Sequence, residues 1–118
     1  MKVVTFERNG TPSYGVLSGD RVSDVGSKLR SRYPDLRAVL AAGALAELQN
    51  AATQDVPSVS LGDVTLLPVI PNPGKILCVG HNYEEHRQET GRAKTAHPSL
   101  FVRFADTLIG HEAPIILP

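Results

Sequence analysis

The residues best suited to chemistry in this sequence are a histidine and a glutamate three positions apart, His86 and Glu89. Side chains with this spacing share one face of a helix, so a helix here would bring the imidazole and the carboxylate side by side. A neighbouring carboxylate favours the protonated imidazole and fixes its orientation, as a general base that activates water requires. Glu85, four residues after His81, would form a second pair of this kind. The alternative is a surface helix with favourably spaced charges.

The sequence does not have the spacing of a zinc or nucleotide site. It contains a single cysteine, Cys78, and four histidines, which are His81, His86, His97 and His111. Neither His-Glu-x-x-His nor Cys-x-x-Cys occurs, and these are common zinc-binding spacings. The phosphate-binding motifs G-x-x-x-x-G-K-[ST] and G-x-G-x-x-G are also missing. We therefore expect neither zinc chemistry nor nucleotide binding.

An arginine in a predicted strand is a further candidate. Arg103 is the only charged residue in the apolar run that begins at Leu100. Because a guanidinium fork matches the geometry of a carboxylate, Arg103 could anchor a substrate carboxylate. The alternative is an exposed residue at the edge of a sheet.

A strand, a tight turn and a short helix are predicted to position these residues. The apolar run of residues 75–80 is short enough to be a buried strand. Asn82 is predicted to cap a helix over residues 83–90, and Gly91 to end that helix in the left-handed conformation. This arrangement would gather the candidate residues near the C-terminal end of the strand, where sites are often built from loops. The candidates gathered there are His81, Asn82, Tyr83, His86 and Glu89.

The first 70 residues predict a small β-meander followed by helices. Residues 2–25 have the pattern of antiparallel strands, with a turn at Asn9-Gly10. Apolar residues recur at helical spacing over residues 36–48, where Asp35 can cap the first turn and Gly43 can divide two short helices.

Residues 50–73 suggest a domain boundary. Residues 50–60 carry no clear signal, and the prolines between residues 68 and 73 indicate an extended connection. We predict a mostly β, α+β chain with an N-terminal domain at residues 1–70 and the start of a second domain at residues 71–118.

The composition excludes several classes of partner. The 118 residues include 12 basic and 12 acidic residues, so no net charge favours nucleic acid. A charge follows the first apolar residues too soon for a signal peptide, and no apolar run approaches the roughly 20 residues that span a bilayer. A lone cysteine fits a reducing compartment. We expect a cytoplasmic protein that binds neither nucleic acid nor membrane.

The order of residues from Lys75 onward is more specific than any pair within it. The strand Lys75-Ile76-Leu77-Cys78-Val79-Gly80 is followed by Asn82-Tyr83, His86, Glu89 and Gly91. Pro98-Ser99-Leu100-Phe101-Val102-Arg103 and Pro114-Ile115-Ile116-Leu117-Pro118 come next. In this order the segment resembles the fumarylacetoacetate hydrolase family, in its short bacterial form. The family's first block reads approximately K-I-x-C-V-G-x-N-Y-x-x-H-x-x-E, and residues 1–69 are more loosely similar to its variable N-terminal domain.

The resemblance implies an enzyme with a mixed β-sandwich roll, usually a homodimer, that holds Mg²⁺ or Mn²⁺ through carboxylates. Its substrates would be small 2-oxo or diketo acids. His86 matches the catalytic histidine and Glu89 its partner, so that His86 would take a proton from water for hydrolytic C–C cleavage of an acylpyruvate. Substrate contacts are expected from the residues around this pair and from the arginine of the following strand, which are His81, Asn82, Tyr83 and Arg103.

The sequence departs from the family pattern in ways that leave alternatives open. His81 replaces a leucine or arginine, and Arg103 replaces a lysine, which puts proton transfer at that position in doubt. The family's Glu-x-Glu and aspartate metal ligands are expected downstream of Pro118, so we predict no metal ligand among these residues and no activity for the segment alone. A decarboxylase or isomerase of 2-oxo dicarboxylic acids and a non-catalytic binding module remain alternatives.

Overall fold

The computed structural model describes residues 1–80, 82–91, 93–94 and 96–117. These residues form two compact units. The first contains Met1–Asn72 and the described residues from Leu108 onward, and the second contains Pro73–Thr107. The predicted mixed α+β fold class is confirmed. The assignment of residues 71–118 to the start of a catalytic domain stays a prediction.

An antiparallel sheet forms the framework of the first unit. Its strands are β1 (Lys2–Arg8), β2 (Thr11–Ser18), β3 (Arg21–Ser23), β4 (Ser58–Ser60) and β5 (Thr65–Leu66), in the spatial order β4-β3-β2-β1-β5. Asn9 and Gly10 join β1 to β2 with φ angles of 51° and 75°, as a tight Asn-Gly hairpin turn requires. The predicted meander is therefore confirmed.

Three helices follow β3 in the sequence: α1 (Gly26–Leu29), α2 (Leu36–Ala41) and α3 (Leu45–Ala52). The Asp35 side chain caps α2 by accepting a hydrogen bond of 2.7 Å from the backbone N–H of Ala38. Gly43, at a φ of 64°, separates α2 from α3. Both features match the sequence prediction. Every helix of the described residues is too short or too polar to cross a membrane.

The core of this unit lies on both faces of the sheet. In the β1–β2 pair Tyr14 lies opposite Thr5, whereas Phe6 lies opposite Ser13, so the two aromatic rings point to opposite faces. The helix-covered cluster contains the buried residues Tyr14, Val25, Tyr33, Leu36, Val39, Leu48 and Ala51. The smaller cluster on the other face contains Phe6, Val22 and Val59. Burial raises the pKa of Tyr14 to about 12, and its hydroxyl donates a hydrogen bond to the backbone oxygen of Tyr33.

Gly15 lies where β2 closely approaches the end of β3. A Cβ atom at this position would lie 2.0 Å from the backbone oxygen of Ser23. We therefore expect Gly15→Ala to lower the free energy of unfolding by about 1–3 kcal/mol, because the backbone must move to admit the methyl group. Gly62→Ala is the matched control, since its Cβ would meet only Ser60 Oγ, at 3.8 Å. Urea unfolding compares the two variants, and equal stability would contradict this account of the packing.

The second unit is a hairpin with a helix in its connection. Strands β6 (Ile76–Gly80) and β7 (Ser99–Arg103) pair antiparallel, and α4 (Glu84–Glu89) lies between them in the sequence. The directly opposed pairs Leu77–Val102 and Val79–Leu100 share one face of the hairpin. These four apolar side chains are each between 51% and 66% exposed. The described chain thus presents an apolar sheet face largely open to solvent.

Candidate active site

Helix α4 begins directly after the loop that leaves β6. Tyr83 occupies the N-cap position in an extended conformation, and its side chain makes no capping hydrogen bond. The predicted cap by Asn82 and the predicted helix over residues 83–90 were therefore wrong by about one residue at each end. Gly91 ends the helix at a φ of 65°, as predicted.

His86 and Glu89 lie side by side on this helix. The imidazole Nδ1 is 3.7 Å from Glu89 Oε2, which is an ion-pair distance and longer than a hydrogen bond. The side chains are 56% and 75% exposed within the chain, so solvent screens their attraction. The helix therefore brings together the two groups of the predicted proton-transfer pair, with Glu89 facing one particular ring nitrogen.

The opposite face of α4 carries a hydrogen-bonded network. Glu84 accepts hydrogen bonds from Arg87 through both Nε and Nη2, and a third from Gln88 Nε2 at 2.9 Å. These hydrogen bonds, that of Arg87 first, lower the pKa of Glu84 to about 2. This network was not predicted from the sequence, although the Glu84-to-Arg87 spacing of three residues and the Glu84-to-Gln88 spacing of four are signals for it.

Three of the residues predicted to contact the substrate lie directly before α4 in the sequence. Asn82 and Tyr83 are exposed at the start of α4, and Tyr83 is 80% exposed. His81 lies outside the described residues. All three adjoin the helix in sequence, and their roles stay predictions.

Arg103 lies at the other end of the hairpin. Its strand partner is Ile76, whereas Gly80, which leads toward α4, pairs with Ser99. These two positions are four residues apart along the strand, or about 13 Å. The Arg103 guanidinium carbon lies 5.4 Å from the centroid of the Phe101 ring, in a cation–π contact. The strand register therefore does not bring Arg103 toward His86, and its predicted role in substrate binding stays untested.

A second histidine–glutamate pair lies in the first unit. His111 Nε2 is 3.7 Å from Glu112 Oε1, and both side chains are more exposed than those of the α4 pair. They border an open cavity of about 570 Å³ that Asp20, Thr65 and Leu66 also line. These two residues are adjacent in a turn rather than fixed on a helix face. Substitutions in this pair can therefore serve as controls for substitutions in the pair on α4.

The described residues do not fit a magnesium or manganese site by themselves. No group of three or more histidine, cysteine, aspartate or glutamate side chains that could hold a metal ion occurs among them. On α4 the Glu84 carboxylate is already engaged by Arg87 and Gln88. A magnesium site needs several oxygen ligands that converge on one point. We therefore derive no chemical step through a metal from these residues.

Comparison with known proteins supports the resemblance noted in the sequence. Residues 75–118 match the family model described as fumarylacetoacetate (FAA) hydrolase C-terminal. Over its whole length the chain is 29% identical to the mitochondrial oxaloacetate tautomerase fahd2 of Xenopus laevis, of which it covers 39%. Over 64% of its length it is 33% identical to the mitochondrial oxaloacetate tautomerase Fahd2a of Rattus norvegicus, of which it covers 24%.

A solved structure agrees with these matches. The crystal structure of a Mycobacterium smegmatis protein assigned as HpcE superposes with a TM-score of 0.73 and 28% identity, covering 97% of this chain and 40% of that one. The fold and the matched segment define an α+β protein with a fumarylacetoacetate-hydrolase-type C-terminal segment. The chain is similar to members of the fumarylacetoacetate hydrolase family, and the family model matches residues 75–118. It spans about 40% of the length of the Xenopus and Mycobacterium proteins, which match it almost throughout.

Proposed function

We propose that these residues are part of an enzyme that acts on small 2-oxo acids, with His86 as the proton-transferring group and Glu89 as the residue that orients it. The observation that carries the proposal is the 3.7 Å approach of Glu89 Oε2 to His86 Nδ1 on one face of α4. A carboxylate on the Nδ1 side favours the neutral imidazole tautomer with its proton on Nδ1, and in that tautomer Nε2 is the basic nitrogen. An oriented imidazole of this kind is suited to general acid–base catalysis.

The reaction best supported is the interconversion of the enol and keto forms of a 2-oxo dicarboxylic acid. Two of the relatives reported above are named oxaloacetate tautomerases. In this reaction the enol hydroxyl on C2 loses a proton, the C2–O bond becomes a carbonyl, and C3 gains a proton. Atoms and charge balance without an oxidant or a reductant. His86 is the group we assign to proton transfer, since its imidazole can both accept and donate.

The second candidate is hydrolytic C–C cleavage of an acylpyruvate, the reaction that the family resemblance implies. In that case His86 takes a proton from water, and the resulting hydroxide attacks the acyl carbonyl. Bond cleavage then releases a carboxylic acid and the enolate of pyruvate, which gains a proton at C3. Both candidates require the same oriented imidazole, and they differ in whether water attacks.

The activity is proposed for the complete protein that contains these residues. The exposed apolar face of the β6–β7 hairpin supports packing against further polypeptide, because a two-stranded hairpin is marginal alone. Carboxylates outside the described residues would have to supply any Mg²⁺ or Mn²⁺ site. A homodimer and a cytoplasmic location stay predictions.

A substrate comparison tests the proposal. The complete protein is assayed with freshly dissolved enol oxaloacetate and with an acylpyruvate, by loss of the enol absorbance, in the presence of Mg²⁺ and again with a chelator. We expect acceleration of oxaloacetate ketonisation, with no release of pyruvate from the acylpyruvate. Release of pyruvate would favour the hydrolase instead. If neither substrate is turned over with Mg²⁺ or Mn²⁺ present, the proposal of an enzyme acting on 2-oxo acids is refuted.

A further inference from the structure

We propose that Glu84, Arg87 and Gln88 are positioning residues that hold α4 in the helical geometry in which His86 and Glu89 meet. The expected effect on turnover rests on the proposed function. The expected effect on the helix does not, because it can be measured without a substrate. The three residues are called the α4 clamp below.

The first turn of helix α4 lacks two supports that commonly order the start of a helix. The helix has six residues, no side-chain cap at its N-terminus, and no buried residue. Isolated helices shorter than about 12 residues are marginal in water, and most helices in proteins are held by the packing of an apolar face. Neither an N-terminal cap nor a buried face therefore accounts for the order of the first turn, whereas at the other end the Thr90 hydroxyl donates to the backbone oxygens of His86 and Arg87.

The α4 clamp joins the first turn of the helix to the second. Arg87 donates to Glu84 through two nitrogens, and this fork fixes the direction of the guanidinium as well as its distance. Gln88 donates to the same carboxylate. Arg87 is only 21% exposed, compared with 56% for Glu84. With the pKa of Glu84 lowered to about 2, the carboxylate is ionised at neutral pH and the clamp stays closed.

The clamp and the candidate active pair occupy opposite faces. At about 100° per residue, positions 84, 87 and 88 cluster on one side of a helix, and positions 86 and 89 cluster on the other. The contact between His86 and Glu89 requires helical backbone angles between them, and the clamp bonds span this same turn. Loss of the clamp would therefore separate the imidazole from the carboxylate without removing either group.

The experiment compares Glu84→Ala with Glu85→Ala in the complete protein. Alanine has the highest helix propensity, so neither change weakens the helix through the new side chain itself. Both variants lose one acidic group from the first turn, and thus the same favourable interaction with the helix dipole. Only Glu84→Ala removes the clamp. A third variant, Arg87→Lys, keeps the positive charge and removes the fork.

Two kinds of measurement decide the outcome. In Glu84→Ala we expect the ¹³Cα NMR shifts of residues 84–89 to move toward coil values, while those of Glu85→Ala stay helical. We also expect Glu84→Ala to lower kcat by about 10-fold or more with KM changed less than about 2-fold, and Arg87→Lys to fall between it and the wild type. Adding Glu89→Gln to Glu84→Ala should then cost less in kcat than adding it to the wild type, since the contact is already lost.

The results can separate the clamp from the proposed function. Helical shifts retained in Glu84→Ala, or lost equally in Glu85→Ala, would overturn the clamp even if the protein shows no turnover. Full additivity of Glu84→Ala and Glu89→Gln in an active protein would also overturn it. An inactive wild type with the expected helix shifts would leave the clamp standing as a structural device and refute the proposed function alone.

Discussion

Replacement of His86 by alanine is expected to lower kcat by about 10²–10⁴-fold, which is the usual contribution of general acid–base catalysis. The reason is that the variant keeps the helix, the carboxylate of Glu89 and the α4 clamp, and loses only the group that carries the proton. The His86 side chain is 56% exposed, so we expect the free energy of unfolding to change by no more than about 0.5 kcal/mol. Steady-state kinetics and urea unfolding, measured on the same preparation, check both parts.

His111→Ala provides a matched control for this variant. His111 is also an exposed histidine 3.7 Å from a glutamate oxygen, and it lies in the other compact unit. The same substitution there removes an equivalent group from an equivalent environment, and turnover should stay within about 2-fold of the wild type. If the two variants lose activity equally, the assignment of His86 to proton transfer is wrong.

Replacement of Leu48 by alanine is expected to produce the largest loss of stability, about 2–5 kcal/mol. Leu48 lies in α3, is fully buried, and packs in the cluster between the helices and the sheet. The change removes apolar contacts and leaves a cavity, and a domain of this size has only about 5–15 kcal/mol of stability in total. Urea or thermal unfolding measures the loss.

Leu45→Ala is the control for this prediction. Leu45 begins the same helix and is 38% exposed, so the same side-chain truncation there removes less buried surface. We expect its effect to be less than about half that of Leu48→Ala. Equal losses would contradict the assignment of Leu48 to the core and of Leu45 to its margin.

The features that were predicted from the sequence depend on neighbouring residues. The Asn9-Gly10 turn, the Asp35 cap and the glycine that ends α4 each follow from the conformational or hydrogen-bonding preference of one or two side chains. The proximity of His86 and Glu89 followed from helical periodicity alone. Such features can be recognised without knowledge of the tertiary structure.

The features that were missed depend on distant partners or on competition among neighbours. Strand β4 lies in residues 50–60, which carry no clear signal, because its order comes from pairing between Val59 and Val22. The position of Arg103 depends on strand register, which one sequence does not reveal. At the start of α4, Asn82 was a reasonable cap, yet Tyr83 takes the N-cap position and the Glu84 network orders the first turn.

Helix α4 contains both a feature that was predicted from the sequence and one that was missed. Its six residues divide into a face that orders the helix and a face that presents the imidazole and carboxylate. Strand β6 precedes the helix and strand β7 follows it. The residues of these strands nearest to the helix in sequence, Gly80 and Ser99, are paired with each other. On this account the position of the proton-transfer pair is set by contacts within the second compact unit.

The central claim is that His86 delivers the proton to a 2-oxo acid, and the stereochemistry of ketonisation tests it most directly. Enol oxaloacetate is mixed with the complete protein in D₂O, and the keto product is trapped within seconds by enzymatic reduction to malate. With the wild type we predict that deuterium enters one of the two C3 positions in excess, because the imidazole approaches one face of the enol. With His86→Gln we predict equal labelling of both positions, as in the uncatalysed reaction. A wild-type excess retained in His86→Gln would contradict the account.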